Sequence, residues 1–201
     1  MRLTTPTLAG RRVRLEPLTL DHAHGLALAA RDRLGFEWTR VPDGFDDALA
    51  YVGGLLEEAG RGAVCPYAQV SADGEVLGAT RYLAPRWAED GGLFAVEVGG
   101  TWLSRAARGT GVNVEAKLLL LTHAFDRWGV ERVDFKTDAR NHRSRGALAS
   151  IGATFEGVLR SWQPSVAPGE TGPRDSAMFS VVRAEWPAVR DRLAVRLAPP
   201  P

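Results

Sequence analysis

The stretch Ser104–Leu121, "SRAARGTGVNVEAKLLLL", decides how this chain is read. Its first half is arginine and glycine with hardly any apolar matter. Its second half is a near-continuous apolar helix pattern, and the spacing predicts a helix from about Val112 to Trp128 with Gly129 as its stop. The turn before it runs Arg108-Gly109-Thr110-Gly111-Val112-Asn113 and follows a predicted strand. Backbone N–H groups in the first turn of a helix have no partner within it. The macrodipole adds partial positive charge there, about 0.3–1 kcal/mol in favour of an anion. Glycines at 109 and 111 remove the Cβ atoms that would hold a diphosphate off, and Arg105 and Arg108 add formal charge. These features make a phosphate cradle. It is not a P-loop, which needs Gly-x-x-x-x-Gly-Lys-Ser/Thr. It is not a Rossmann fingerprint either, because the third glycine is missing and the turn lies past mid-chain.

Outward from this turn the chain alternates patterns. Toward the N-terminus, Val13 and Leu15 alternate with charged residues as a strand, and a helix follows from about Leu20 or Asp21 to Ala30. A second helix is expected with Asp46 as N-cap and Leu49, Val52 and Leu55/Leu56 as its apolar stripe, although Gly53–Gly54 lies inside it. Two short strands flank Asp73–Gly74, a hairpin signal. Phe94, Val96 and Val98 alternate in another strand, where Gly99–Gly100 marks a bulge or a close approach. Beyond the central helix come the strand "RVDFKTDARN", a helix "HRSRGALASIG" ended by Gly152, two strands joined by a Pro/Gly-rich loop, and a closing helix. Strand–helix–strand units in the second half imply that part of the sheet is parallel.

Composition fits one domain over residues 1–201, with a core at about 8–197; the closing "LAPPP" reads as a frayed end. The formal net charge of +1 gives no general case for a nucleic-acid partner. No apolar run is long enough to span a membrane. Cys65 is the single cysteine, so no internal disulfide can form and a cytoplasmic location is expected. Lysine occurs only at Lys117 and Lys136 among 25 basic residues, an arginine bias that base composition can explain. His22 and His24 point apart on a helix, and His123 and His142 lack ligand-spaced neighbours, so no metal site is expected.

The layout resembles the GCN5-related N-acetyltransferases (GNAT). Their coenzyme motif, Gln/Arg-x-x-Gly-x-Gly/Ala at a strand-to-helix turn, is matched by Arg108 and Gly111, with Asn113 in the last position. A later segment also matches, with Asn141, Ser144, Ile151-Gly152-Ala153, Phe155 and Glu156-Gly157 in order. The opening "LAGRRVRLEPLTLDHA" is similar to the subgroup that acetylates ribosomal-protein N-termini. The resemblance implies a mixed α/β fold: a central, mostly antiparallel sheet of about seven strands, splayed in the middle and flanked by helices. It implies acetyl-CoA as co-substrate and direct attack of an amine on the thioester.

The resemblance also assigns tasks. The cofactor-binding set is Trp102, Leu103, Arg105, Arg108, Gly109, Thr110, Gly111, Val112, Asn113, Asn141 and Arg143. Gly100–Leu103 would offer backbone groups to the pantetheine arm, as an added strand does, and an N–H exposed at the bulge would stabilise charge on the thioester oxygen. Asn141 would bond the arm from the other side. Arg143 and Arg145 would reach further phosphates or simply lie on the helix surface. Glu97 is the chosen base for removing the amine proton, with an outward polar position as its plainer role and Glu37 and Glu156 as alternatives. Many relatives use a Tyr to protonate the leaving thiolate; Leu148 stands there, and Ser144 is the nearest hydroxyl, with helix capping as its plainer role. Cys65 is read as a core or edge residue. Trp38, Trp87 and Trp162 would line an acceptor pocket or serve as surface or dimer contacts. The acceptor is a peptide or protein N-terminus or a small-molecule amine, and the chain a monomer or homodimer. A non-catalytic acyl-CoA-binding or sensing module is the alternative, and a nucleotide-binding protein of another fold a further one.

Overall fold

The computed structural model describes residue 3, residues 6–167 and residues 169–198. The closing prolines 199–201, expected as a frayed end, lie outside the described residues. Eight strands form one sheet in the order β1-β2-β3-β4-β5-β6-β8-β7. The strands are β1 (Leu8–Ala9), β2 (Arg14–Pro17), β3 (Val64–Val70), β4 (Val76–Trp87), β5 (Leu93–Leu103), β6 (Arg132–Asp138), β7 (Thr154–Pro164) and β8 (Pro173–Val182). The helices are α1 (His22–Ala29), α2 (Phe45–Gly60), α3 (Val112–Thr122), α4 (His142–Ile151) and α5 (Trp186–Leu197). The strand beyond the expected seven is the two-residue β1, too short to leave a period in the sequence. Every neighbouring pair is antiparallel except β5 and β6. The parallel pairing expected in the second half is confined to this one junction, because β8 inserts between β6 and β7.

Both faces of the sheet are covered. Along β3 all seven residues are buried, Tyr67 toward one core and Ala68 toward the other. One core packs Leu120 and Phe125 of the central helical segment, Ile151 of α4 and Leu193 of α5 onto the sheet. The other packs Leu26 of α1 and Val52 and Leu55 of α2. The Asp73–Gly74 hairpin forms as expected, with Gly74 at φ +86°. Gly152 ends α4 in the left-handed region at φ +95°. The expected start of α2 is corrected: Gly44, at φ +80°, is its N-cap, and Asp46 lies in the first turn. Asp47 takes the anchoring role, accepting the Asp43 N–H at 2.8 Å and pairing with Arg40. The buried stripe is Ala48, Val52 and Leu55, while Leu49 is exposed. The central helix also ends early, at Thr122, and passes into a π-helical turn over His123–Arg127. There His123 is buried against Trp128, with ring centroids 4.6 Å apart.

Candidate active site

Strands β5 and β6 pair only at Ala95–Arg132, Val96–Val133 and Glu97–Asp134. Beyond Glu97, β5 stays with β4 and leaves β6, so the sheet opens. A β-bulge lies on the departing strand. Arg81 pairs with Gly99 and Ala79 with Trp102, leaving Gly100 and Thr101 opposite Thr80. Gly100 sits at φ +56°, a backbone conformation that favours glycine, and a Cβ there would stand 2.8 Å from the Arg81 guanidinium carbon and displace that side chain. A cavity of about 450 Å³ occupies the opening. Its walls come from β5, the start of α3, β6, α4 and the loop after α1.

The glycine turn forms one end of this cavity. Gly109 and Gly111 both adopt positive φ, +79° and +90°, and Gly111 caps α3 in the left-handed region. Arg108, Gly109 and Asn113 line the cavity. Asn113 Oδ1 and Arg108 Nη2 are buried without a hydrogen-bond partner. Arg108 Nε donates to the Leu103 carbonyl at 3.1 Å, and Nη1 donates to the Leu34 carbonyl at 2.5 Å. Arg143 lines the cavity from α4 and donates to the Gly35 carbonyl. Burial, then the nearby Arg143 charge, lowers the Arg108 pKa below its ordinary value. Two cations held in mutual repulsion, one with an unused donor, suit an anion between them. The arginine pair therefore fits a coenzyme diphosphate, and the orphaned Asn113 oxygen, an acceptor, fits an N–H or O–H donor beside it.

Arg105, Thr110 and Val112 of the expected set point elsewhere, whereas Trp102, Leu103 and Asn141 line the cavity. Arg105 does not line the cavity; it pairs with Asp32 at 3.1 Å and is 62% exposed. Thr110 turns its hydroxyl back to the Ala107 carbonyl at 2.7 Å, and Val112 is buried in the core. The Trp102 carbonyl accepts from Gln69 Nε2 at 3.2 Å and the Leu103 carbonyl from Arg108 Nε, one side-chain donor each where a carbonyl can accept two. Asn141 lines the cavity but uses its Oδ1 to cap α4, accepting the Ser144 N–H at 3.0 Å. The cap is thus Asn141, and Ser144 itself faces the cavity beside Leu148. Arg145 binds the Ala139 carbonyl at 3.0 Å and lies 5.3 Å over the Phe155 ring, away from the cavity.

Glu97 stands where the sheet parts. It is buried, and Lys136 Nζ lies 3.4 Å from its Oε2. Burial raises its pKa above the ordinary 4.5, with Lys136 opposing. Neither alternative base lines the cavity: Glu37 accepts the Gly35 N–H at 3.0 Å, and Glu156 is tied to Arg132 and Ser180. Burial pushes the Cys65 thiol up to about 11, which keeps it protonated and unreactive. Of the tryptophans, Trp38 lines the cavity under the Arg140 guanidinium at 4.5 Å, whereas Trp87 and Trp162 do not line it.

Sequence reasoning passed over Arg81, Lys117, Lys136 and Arg174, all of which line the cavity. Lys117 had a usable signal, since it lies four residues after Asn113 and so on the same helix face. Arg81 and Arg174 come from strands remote in sequence, and no local pattern marks them.

Known proteins share the family and the fold. A family model described as an acetyltransferase (GNAT) domain matches residues 12–154. The chain belongs to the GNAT acetyltransferase family, whose co-substrate is acetyl-CoA. It is similar to a protein from T. thermophilus, itself provisionally assigned as an acetyltransferase, at 36% identity and TM-score 0.84 over 98% of this chain and 100% of that one. A GCN5-related N-acetyltransferase from Brucella melitensis matches at 26% identity and TM-score 0.85, covering 99% and 88%. Mycobacterium smegmatis RimJ, solved with CoA-disulfide, shares the fold at 23% identity and TM-score 0.75, covering 94% and 91%. None of the curated proteins compared matches the chain.

Proposed function

We propose that this protein transfers an acetyl group from acetyl-CoA to a primary amine by direct attack on the thioester. The observation that carries the proposal is a buried carboxylate, Glu97, lining the same cavity as the Arg108–Arg143 pair and the start of α3. Arg108, Arg143 and the first-turn N–H groups of α3 hold the diphosphate, and Asn113 Oδ1 accepts from a donor group of the coenzyme beside it. The length of β5 past Glu97, unpaired with β6, receives the amide-rich arm. The bound coenzyme supplies an activated acetyl group. Glu97 takes a proton from the acceptor amine, and its raised pKa suits a base working near neutral pH. The acceptor is an α-amine of a peptide or protein, in keeping with the sequence's likeness to the ribosomal N-terminal subgroup, or a small-molecule amine. Trp38, Thr39 and Arg40, on the loop after α1, meet it.

Release of free CoA thiol, measured across a panel of amines and N-terminal peptides, tests the activity. Glu97→Gln is expected to lower kcat by about 10²–10⁴-fold while acetyl-CoA affinity holds. In the wild type, activity falls as pH drops through the Glu97 pKa, which lies above the ordinary 4.5; the variant loses that limb. Unchanged turnover in Glu97→Gln removes Glu97 as the base. Coenzyme binding without turnover on any amine would favour a sensing module instead.

A further inference from the structure

Several ionisable groups in the cavity have no task in the reading above, Lys117 among them. Lys117 projects from α3, is 5% exposed and lines the cavity. Its Nζ donates to Thr101 Oγ1 at 2.8 Å, and that hydroxyl shares a hydrogen bond with Thr80 Oγ1 at 2.7 Å. Thr101 Oγ1 is its one hydrogen-bond partner among the described residues, where an ammonium has three donors to place. No carboxylate pairs with it there. A buried lysine in that state costs folding energy, so its place is explained by what enters the cavity.

The charges around it favour an anion. Arg81 on β4, Lys136 on β6, Arg143 on α4, and Arg40, Arg108 and Arg174 line the same space. Glu97 on β5 is the one carboxylate among the lining residues, and Lys136 already stands beside it. Thr101, which holds Lys117, belongs to the bulge at which β5 leaves β6. Across the cavity α4 presents Leu148, which has no proton to give.

We propose that Lys117 protonates the departing thiolate of the coenzyme, an inference that rests on the acetyl-CoA reading above. As the carbon–sulfur bond breaks, its electron pair stays on sulfur. The Lys117 ammonium gives that sulfur one proton and becomes a neutral amine. Glu97 passes the acceptor's proton to solvent, and Lys117 takes one back from solvent for the next cycle. The products are an amide and a thiol, with no oxidant or reductant required. Burial lowers the Lys117 pKa to about 7, so the group can both give and regain a proton near neutrality.

The test reads the thiol itself, not turnover. Free CoA is bound to the wild type, to Lys117→Met and to Lys117→Gln, and the thiolate is titrated by its ultraviolet absorbance. CoA affinity is measured in parallel by calorimetry. At a given pH the bound thiolate fraction is expected to be at least about tenfold higher in the wild type, since a neighbouring ammonium favours the anion and a desolvated thiol alone resists ionising. Equal titration in all three proteins overturns the proposal. Binding by the wild type alone makes Lys117 a coenzyme anchor and also overturns it. Failure of all three to bind CoA overturns the coenzyme reading, and this inference with it.

Discussion

Lys117 and Glu97 show how one cavity shifts acids and bases in opposite directions by the same cause. Burial disfavours the charged form of each, raising the carboxyl and lowering the amine. For Lys117 the consequence reaches stability. The unfolded chain keeps its proton up to the ordinary 10.5, and the fold only up to about 7. Between these values the unfolded state binds more protons, so stability rises with pH across that window and is flat below it. Lys117→Met removes the slope. It is expected to be more stable than the wild type at pH 7, with the difference shrinking toward pH 10. Denaturant unfolding at a series of pH values checks this, and parallel curves for the two proteins would contradict the shift. Glu97 was legible in the sequence because it stands on the strand that runs into the Gly99–Gly100 bulge. Lys117 was passed over despite its spacing from Asn113, because a lysine in an amphipathic helix ordinarily lies on the solvent side.

At the scale of elements, α3 is the hub, and its first two turns serve three neighbours. Asn113 and Lys117 face the cavity, Val112 and Ala116 face the core, and Glu115 holds the chain before β2. The buried Glu115 carboxylate accepts the N–H groups of Arg11, Arg12 and Val13 at 3.0, 2.6 and 2.9 Å. A Cβ at Gly10 would strike that carboxylate at 2.5 Å, which explains the glycine. Glu115→Ala leaves the buried Val13 N–H without a partner and frees the others, a loss of about 3 kcal/mol. That corresponds to about 6–12 °C in Tm for a chain of this size. A calorimetric Tm within 2 °C of the wild type, on the same scale of about 2–4 °C per kcal/mol, would show that the three bonds contribute little. The helices and the hairpin were readable because period and turn chemistry are local. The N-cap of α2 was misplaced because Gly44 and Asp46 both look like starts, and the choice rests on Asp47 reaching Arg40 and the Asp43 N–H. The short β1 was missed because two residues carry no period.

At the scale of the whole molecule, the site exists because the sheet parts where β5 leaves β6, and because the loop after α1 folds over the gap. The glycine turn and Glu97 lie on adjoining stretches of chain, so the sequence offered them together. The loop did not announce itself: Leu34 and Gly35 give their carbonyls to Arg108 and Arg143, contacts that span 74 and 108 residues. A Cβ at Gly35, which is held at φ +84°, would lie 2.4–2.5 Å from both guanidinium groups. The two arginines hold the loop and, on the proposed reading, the coenzyme as well, so coenzyme affinity should respond to either. A charge-assisted hydrogen bond is worth about 1.5–3 kcal/mol, so Arg108→Gln and Arg143→Gln are each expected to weaken CoA binding by about 10–150-fold. Coenzyme at a hundred times its Kd stabilises the wild type by about 2.7 kcal/mol, or about 5–11 °C in Tm. At that same concentration, binding about thirtyfold weaker leaves roughly 0.9 kcal/mol and a shift of about 2–4 °C. Without coenzyme the variants should melt near the wild type, because Arg143→Gln loses one carbonyl bond and Arg108→Gln two, while each also relieves the repulsion between two like charges. An undiminished coenzyme shift in both variants would move the diphosphate away from this end of the cavity, since no other pair of lining cations lies beside the start of α3.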